Sequence, residues 1–392
     1  MQSVYIASAA RTPIGSYLGS LSSMQAPQLG ATALGAALSR AGMPADAVQQ
    51  VYMGNVLSAG IGQAPARQAA LKAGLPIHVP CTTVSKVCGS SLEAVVLAAR
   101  AVASGEMDVI LAGGMESMSN APYYLTKART GYRMGNGQVV DGMIFDGLWD
   151  PYNDFHMGVA GEMCAKEYNF SRQSQDDFAA ESYKRATTAQ AAGAFRSEIV
   201  AVSVPQAKGA TVDVSDDEEP ARGDPTKFSK LKPAFAPDGT ITAANASSIS
   251  DGAAALLIVS EDALRKHNLT PLARIRGHAT AAQDPKWFTT APAAAISALL
   301  LKQQLNANDV DLWEINEAFA CVTQACAKLV GIELDKVNVK GGAVALGHPI
   351  GATGARILTT LLYALNDAGK KRGVASLCIG GGEAIALMVE RD

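Results

Sequence analysis

The sequence has no long apolar run, no block of basic residues and no acidic tail. Without about 20 consecutive apolar residues a membrane-spanning helix is not expected, and the first residues lack the basic and apolar regions of a signal peptide. The net charge of −3 argues against nucleic acid or an anionic membrane surface as a partner. We therefore expect a cytoplasmic protein of 392 residues that acts on a small molecule.

Patterns typical of metal sites are also missing. Six cysteines occur, but none belongs to a Cys-x-x-Cys motif or lies at zinc-site spacing from a histidine. We expect no metal ion and no cofactor other than the substrate itself, and an intracellular chain of this size is not expected to carry a disulfide framework. Four of the cysteines are predicted to be buried apolar side chains, namely Cys81, Cys164, Cys321 and Cys326.

Short strand-like runs alternate with alanine-rich helical stretches over the first 115 or so residues, which is typical of an α/β fold. The pattern predicts strands over 4–8 and 109–113 and helices over 29–40 and 92–103. Such an alternation predicts a parallel sheet covered by helices.

The composition changes between residues 120 and 248, where Gly, Asp, Tyr, Met and Pro become frequent and one helix is predicted over 174–192. Strand character returns at 253–259. We expect three parts, which are an N-terminal α/β half at 1–119 that resumes at 249–270, an inserted loop domain at 120–248, and a C-terminal α/β half at 271–392.

A weak internal repeat relates the two α/β halves. Cys88 lies in a turn of small residues before a predicted helix, and the strand that follows ends at Gly113–Glu116. His348 lies in a glycine-rich turn before a helix predicted over 354–365, and the next strand ends at Gly380–Glu383. The repeat predicts that Cys88 and His348 face each other across a pseudo-twofold axis. Glycine-rich turns recur in any α/β protein, but that alone does not explain reactive side chains at matched positions.

Residue chemistry indicates thiol-based acyl transfer. Cys88 is the candidate nucleophile, because the N-terminus of a helix favours a thiolate. His348 is the candidate base. Cys378 ends a predicted strand beside three glycines and is placed to move a carbon-bound proton. Asn316 follows another predicted strand, where it either holds a water or carbonyl group or caps a helix.

Five motifs resemble those of the thiolase family in both order and spacing, and the resemblance covers essentially the whole chain. Each motif is weak by itself, but together they are specific. They are Ala7–Gly15, Val87–Ser91, Asn316–Phe319, Gly347–Gly351 and Cys378–Gly382. The resemblance implies two similar α/β halves packed as a five-layered αβαβα core, with an inserted loop domain that binds CoA. It also suggests a dimer of dimers, that is, a homotetramer.

The resemblance further implies a two-step reaction on acetyl-CoA, acetoacetyl-CoA and CoA. Cys88 would accept the acetyl group while His348 takes its proton. Cys378 would then remove a proton from a second acetyl-CoA, or protonate the carbanion in the cleaving direction. Two oxyanion holes are implied, one made by His348 and a water held by Asn316, the other by the N–H groups of Cys88 and Gly380.

The CoA contacts implied by the resemblance are mostly apolar and lie in the loop domain and at its borders, as suits a pantetheine arm. They are Leu148, His156, Met157, Leu231, Phe235, Ala243, Ser247, Ala318 and Phe319. His156–Gly158 matches the short-chain, acetoacetyl-specific branch better than the long-chain thiolases. The lysines at 227–232 either attract the CoA phosphates or form a solvated surface.

Two positions depart from the family pattern. Ser91 stands where relatives often have glycine, and Glu383 stands where several have methionine or glycine. Three alternatives are weighed against a short-chain thiolase. A degradative thiolase of broader chain length would share these motifs. A ketoacyl synthase would need a second histidine in place of Asn316. An inactive acyl-CoA-binding relative would be expected to lack Cys88, His348 or Cys378, and none is missing.

Overall fold

The computed structural model describes residues 2–391, and most of the strands in this part of the chain belong to one large mixed sheet. The strands are β1 (Val4–Arg11), β2 (Gly15–Ser16), β3 (Gln50–Gly54), β4 (Cys81–Val84), β5 (Val109–Ser117), β6 (Tyr123–Tyr124), β7 (Val140–Asp141), β8 (Trp149–Asp150), β9 (Phe155–His156), β10 (Val202–Pro205), β11 (Thr211–Val214), β12 (Ser250–Ser260), β13 (Ala273–Ala282), β14 (Leu312–Ile315), β15 (Arg372–Ile379) and β16 (Glu383–Glu390).

The predicted helices over 29–40, 92–103, 174–192 and 354–365 all form, with ends that differ by a few residues at most. The α-helices are α1 (Ala26–Ala41), α2 (Pro65–Lys72), α3 (Ser90–Ala103), α4 (Met157–Glu167), α5 (Arg172–Ala191), α6 (Glu261–His267), α7 (Ala291–Gln303), α8 (Ala320–Val330), α9 (Ala343–Leu346) and α10 (Thr353–Asp367). Within residues 2–391 no helix is both long and apolar enough to cross a membrane.

The large sheet has the strand order β14-β15-β16-β13-β1-β12-β5-β3-β4, with β2 paired to β12. The predicted parallel sheet is wrong. β3 runs parallel to β4 and β5, and β14 to β15, whereas β1, β12, β13 and β16 make antiparallel pairs. Helices cover both faces, so an antiparallel strand is apolar along its whole length and has the same sequence pattern as a parallel one.

Five layers are packed around three apolar cores, as expected from the resemblance, because the central core lies on both sides of the middle layer. The central core surrounds α3 and α10 and contacts both halves of the sheet. One outer core packs α1, α2 and α6 against the N-terminal half, and the other packs α7 and α8 against the C-terminal half. Within residues 2–391 the two halves of the sheet join only between β1 and β13, through the pairs Tyr5–Arg274 and Ile6–Ala273.

The two central helices meet closely at their N-termini. A Cβ atom on Gly354 would lie 2.6 Å from the Cβ atom of Leu92, so only glycine fits there. The Ser91 hydroxyl accepts a hydrogen bond of 2.9 Å from the Ala355 N–H group. The turns that precede α3 and α10, which carry Cys88 and His348, are therefore held beside each other.

Residues 121–249 contribute α4, α5 and three short strand pairs, none of which joins the large sheet in the described structure. Arg11 of β1 anchors this segment. Its guanidinium group contacts Glu198 at 2.6 Å and Asp217 at 2.7 Å, and all three side chains are fully buried. Removing one partner from such a buried pair costs on the order of 3–5 kcal/mol. We retain the division at 120–248 as a proposal. The strand pairing shows that this segment is separate from the large sheet, but it does not define where the segment begins and ends.

Candidate active site

A cavity of about 300 Å³ lies where residues 121–249 cover the N-terminal ends of the two central helices. Its walls are largely apolar. Cys88, His348 and Gly380 contribute to it, and the remaining lining residues are Val87, Met118, Gly147, Leu148, His156, Met157, Phe235, Ala246, Ser247, Ser248, Ile249, Phe288, Ala318, Phe319 and Ile350. A largely apolar cavity with a few polar groups is typical of a small-molecule site.

Cys88 occupies a tight turn directly before α3. The Gly89 N–H group donates to the Lys86 carbonyl oxygen at 3.0 Å, and the Ser90 hydroxyl donates to the Val87 carbonyl oxygen at 2.6 Å. Val87 has φ of +45°, a left-handed conformation that is strained for a β-branched residue. The turn aims the partly exposed Cys88 at the cavity.

Burial raises the pKa of the Cys88 thiol to about 11, although the N–H groups of Gly380 and Cys88 itself point at the sulfur and oppose this rise. Burial thus has a larger effect on this pKa than the helix N-terminus that the sequence places after Cys88. Cys88 is therefore a neutral thiol at rest, and it needs a base at the moment of attack.

Thr353 fixes the tautomer of His348. The His348 Nδ1 atom lies 2.7 Å from Thr353 Oγ1, and this hydroxyl donates its own proton to the Pro349 carbonyl oxygen at 2.9 Å. Thr353 therefore accepts the Nδ1–H group, which leaves His348 Nε2 without a proton. Burial, and secondarily the charge of Arg356, lowers the pKa of His348 to about 3. The ring is neutral, and its unprotonated Nε2 atom can take a proton.

Asn316 lies in the loop between β14 and α8, as the sequence predicted. It does not cap α8, because Phe319 occupies that position. Its Nδ2 atom lies 3.5 Å from His348 Nε2, and its buried Oδ1 atom has no hydrogen-bond partner within residues 2–391. Asn316 thus places an unused polar atom beside the proposed base.

Cys378 is the second-last residue of β15 and is fully buried, close to the turn that carries Gly380. Burial raises the pKa of this thiol well above its usual value, and the charge of a Cys88 thiolate would raise it further. The side chain packs in the apolar cluster that includes Met157, Ala318 and Phe319, three of the expected CoA contacts. In the described structure Cys378 does not itself line the cavity, but it packs against these three side chains, which do.

Two buried glutamates support the site, and the sequence analysis gave them no role. Glu116 accepts hydrogen bonds from the side chain of Asn55 and from the N–H groups of Val56, Leu57 and Gly351. Burial raises the pKa of Glu116 to about 7, which these donors oppose. Through Gly351, Glu116 holds the turn that follows His348.

Glu317 does the same for the loop that carries Asn316. Its carboxylate accepts from the Ser182 hydroxyl at 2.7 Å, the Asn338 amide at 2.9 Å and the Val344 N–H group at 3.1 Å. The only sequence signal for these roles is a charged residue at the end of an apolar strand.

Of the nine expected CoA contacts, seven line the cavity. His156 stacks on Phe235 with ring centroids 4.8 Å apart, and Phe319 meets Phe235 edge-on, so these rings form one wall. Leu231 and Ala243 are exposed and lie outside the cavity lining in the described structure. The lysines at 227–232 are exposed as well, and Lys227 contacts Asp224 at 2.8 Å.

Comparison with known families matches residues 4–262 to the N-terminal domain of thiolase and residues 269–391 to its C-terminal domain. The chain belongs to the thiolase family. The acetyl-CoA acetyltransferase 2 of Arabidopsis thaliana is 53% identical to this thiolase over 99% of this chain and 96% of its own length. An acetyl-CoA acetyltransferase of Cupriavidus necator is 51% identical over 100% of both chains.

The thiolase fold is confirmed by a solved structure. The Acat5 thiolase from Ascaris suum, crystallised in complex with coenzyme A, superposes on this thiolase with a TM-score of 0.95 and 43% identity over 100% of both chains. Within residues 2–391 of this thiolase, no group of three or more His, Cys, Asp or Glu side chains is placed to hold a metal ion.

Proposed function

We propose that this thiolase is an acetyl-CoA C-acetyltransferase that reversibly condenses two acetyl-CoA molecules to acetoacetyl-CoA and CoA. One observation carries the proposal. Cys88, Gly380 and His348 line one cavity, the N–H groups of Cys88 and Gly380 lie close enough to the sulfur to lower its pKa, and the His348 Nε2 atom carries no proton. Relatives that are about half identical over their full length and carry the name acetyl-CoA acetyltransferase add further support.

In the first half-reaction, Cys88 would attack the thioester carbonyl carbon of acetyl-CoA while His348 Nε2 takes the thiol proton. The N–H groups of Cys88 and Gly380 would hold the oxygen of the acetyl group on the enzyme. When the carbon–sulfur bond to CoA breaks, the departing thiolate takes the proton from His348. One preorganised donor of this kind contributes on the order of 3 kcal/mol to the transition state.

In the second half-reaction, Cys378 would first lose its thiol proton and then remove a methyl proton from a second acetyl-CoA. The resulting carbanion attacks the acetyl carbonyl carbon on Cys88, the carbon–sulfur bond to Cys88 breaks, and the Cys88 thiolate takes up the proton that Cys378 first released. A water held by the unused Oδ1 atom of Asn316 would stabilise the enolate oxygen. In the cleaving direction, Cys378 would give its proton to the departing carbanion. Its raised pKa keeps the thiol protonated at neutral pH, which is the form that this direction needs.

The test is thiolysis of acetoacetyl-CoA by CoA, followed through the loss of enolate absorbance. We expect acetoacetyl-CoA to react faster than longer 3-ketoacyl-CoA substrates, because His156–Gly158 matches the short-chain branch and relatives about half identical to this chain carry the name acetyl-CoA acetyltransferase. Faster turnover of 3-ketooctanoyl-CoA would indicate the degradative, broad-range thiolase instead. Binding without turnover would indicate the inactive acyl-CoA-binding alternative.

We also propose a homotetramer, a dimer of dimers. The segment 123–145 carries exposed apolar side chains that a second copy would cover, namely Tyr123, Leu125, Tyr132, Met134, Val139 and Phe145. Light scattering should give four times the chain mass of 40.5 kDa. A monomer mass would contradict this proposal.

For localisation, we propose the cytoplasm. All six cysteines are free thiols, as is usual in a reducing compartment. Fractionation of the native host would test it.

A further inference from the structure

The two N–H groups that point at the Cys88 sulfur belong to separate turns. One is the N–H group of Cys88, in the turn before α3. The other belongs to Gly380, in the glycine turn between β15 and β16, where Gly381 and Gly382 have φ of +90° and +87°. A run of three glycines has little intrinsic rigidity. Something else must therefore keep the Gly380 N–H group in place relative to Cys88.

Lys86 and Glu383 flank these two turns and contact each other. The Lys86 ammonium group forms an ion pair with the Glu383 carboxylate, and the side chains are 26% and 38% exposed. Lys86 lies two residues before Cys88, and Glu383 is the first residue of β16, directly after the glycine turn.

Both ends of this ion pair are anchored. The Lys86 N–H group donates to the Ser90 hydroxyl at 2.8 Å, which fixes Lys86 to the first residue of α3. Glu383 pairs with Ile379 across the hairpin and with Ala282 of β13 on its other side. The ion pair therefore connects the start of α3 to the start of β16. The two N–H donors lie in the turns directly before these two elements.

The Ile379 side chain, at the end of β15, also packs directly against the backbone of Gly89. A Cβ atom on Gly89 would lie 2.4 Å from Ile379 Cδ1, so the turns can slide on each other only by small amounts. The ion pair opposes this sliding motion. An ion pair with this exposure adds little to folding stability, so its main effect is expected on geometry.

We propose that Lys86 and Glu383 are positioning residues that hold the Gly380 N–H group in register with that of Cys88. They do not touch the reacting atoms. This inference rests on the proposed function, since it concerns the oxyanion hole of that reaction. Oxyanion donors act mainly in the transition state, so loss of register should lower kcat and leave KM almost unchanged.

The test compares steady-state thiolysis of acetoacetyl-CoA in Glu383→Gln, Lys86→Met and the charge-swapped double variant Lys86→Glu/Glu383→Lys. We expect each single variant to lose about tenfold in kcat, with KM changed less than twofold. The double variant should recover at least a third of the wild-type kcat. Glu333→Gln is the matched control, because it breaks an exposed ion pair with Lys336 far from both turns, and it should keep wild-type kcat.

Each outcome has one meaning. An inactive wild-type protein would refute the proposed function, and the role of the ion pair would fall with it. An active wild type with unchanged kcat in both single variants would overturn the positioning role alone. A rise in KM without loss of kcat would also overturn it, because it would assign Lys86 to CoA binding. If Glu383→Gln is poorly folded, as its melting temperature would show, Lys86→Met and the double variant still decide the question.

Discussion

The His348 Nδ1 atom lies 2.7 Å from the hydroxyl of Thr353, the first residue of α10. Because that hydroxyl gives its own proton to Pro349, Thr353 must accept the Nδ1–H group. The start of a helix thus determines which nitrogen of the proposed base is free. A histidine in the other tautomer would present an N–H group to Cys88 and could not take its proton.

Thr353→Val should therefore slow acetyl transfer. The change keeps the shape of the side chain but removes the acceptor, which leaves a buried N–H group unpaired or moves the proton to Nε2. We expect kcat to fall on the order of tenfold, equivalent to about 1.4 kcal/mol. Thr353→Ser, which keeps the hydroxyl, is the control and should stay close to wild type. Nitrogen NMR of the labelled ring reports the tautomer, and an unchanged spectrum with unchanged kcat in Thr353→Val would refute the role.

Cys88 should be the only residue that carries the acetyl group. It is partly exposed to the cavity, whereas Cys378 is fully buried behind it. Brief exposure to acetyl-CoA followed by peptide mass spectrometry should show one added acetyl group on the Cys88 peptide. Acetylation of the Cys378 peptide in its place would reverse the two assignments.

His348→Ala should be far more damaging than Asn316→Ala. Loss of the ring removes the base for Cys88, so both acetylation and condensation should be suppressed. Loss of the Asn316 amide removes a group that a second water can partly replace, so acetylation should persist and condensation should fall less. Separate assays of the two half-reactions distinguish the cases, and small, equal losses in both variants would contradict the scheme.

Alkylation of Cys88 should depend steeply on pH. Burial raises its pKa to about 11, so the thiolate fraction increases about tenfold for each pH unit between 7 and 9. The iodoacetamide rate, measured on the Cys88 peptide, should rise in parallel. Free cysteine is the reference, because its rate levels off above a pKa of about 8.5. A rate at Cys88 that is constant from pH 7 to 9 would indicate a preformed thiolate instead.

Much of this site could be predicted from the sequence, because the reactive residues lie in short glycine-rich motifs whose order is characteristic. The supporting residues could not. Thr353 looks like any helix N-terminal residue until its hydroxyl is seen against the His348 ring. Strand direction was also missed, since helices on both faces make every strand apolar whichever way it runs.

The internal repeat shows the same limit at Glu116 and Glu383. Both follow a glycine-containing strand end at matched positions, so the sequence gives them equal weight. In the structure Glu116 is fully buried and holds the turn after His348, whereas Glu383 is partly exposed and pairs with Lys86. The two glutamates differ because the opposite half of the molecule places different residues beside them. A local sequence motif contains no information about these neighbours.

Cys378→Ser should separate the two half-reactions. If Cys378 handles only the carbon-bound proton, the variant should still be acetylated at Cys88 by acetyl-CoA. It should fail to exchange the methyl protons of the substrate with deuterated solvent and fail to form acetoacetyl-CoA. Serine keeps the size of the side chain, and its much higher pKa makes it a poor base or acid near neutral pH.

Acetylation of Cys88 in this variant is the internal control, because it shows that the fold and the first half-reaction are intact. Deuterium exchange isolates the proton transfer from carbon–carbon bond formation. Condensation at a near wild-type rate in Cys378→Ser would mean that another group performs the second proton transfer. His348 would then be the first residue to test, since its Nε2 atom carries no proton and the residue lines the same cavity.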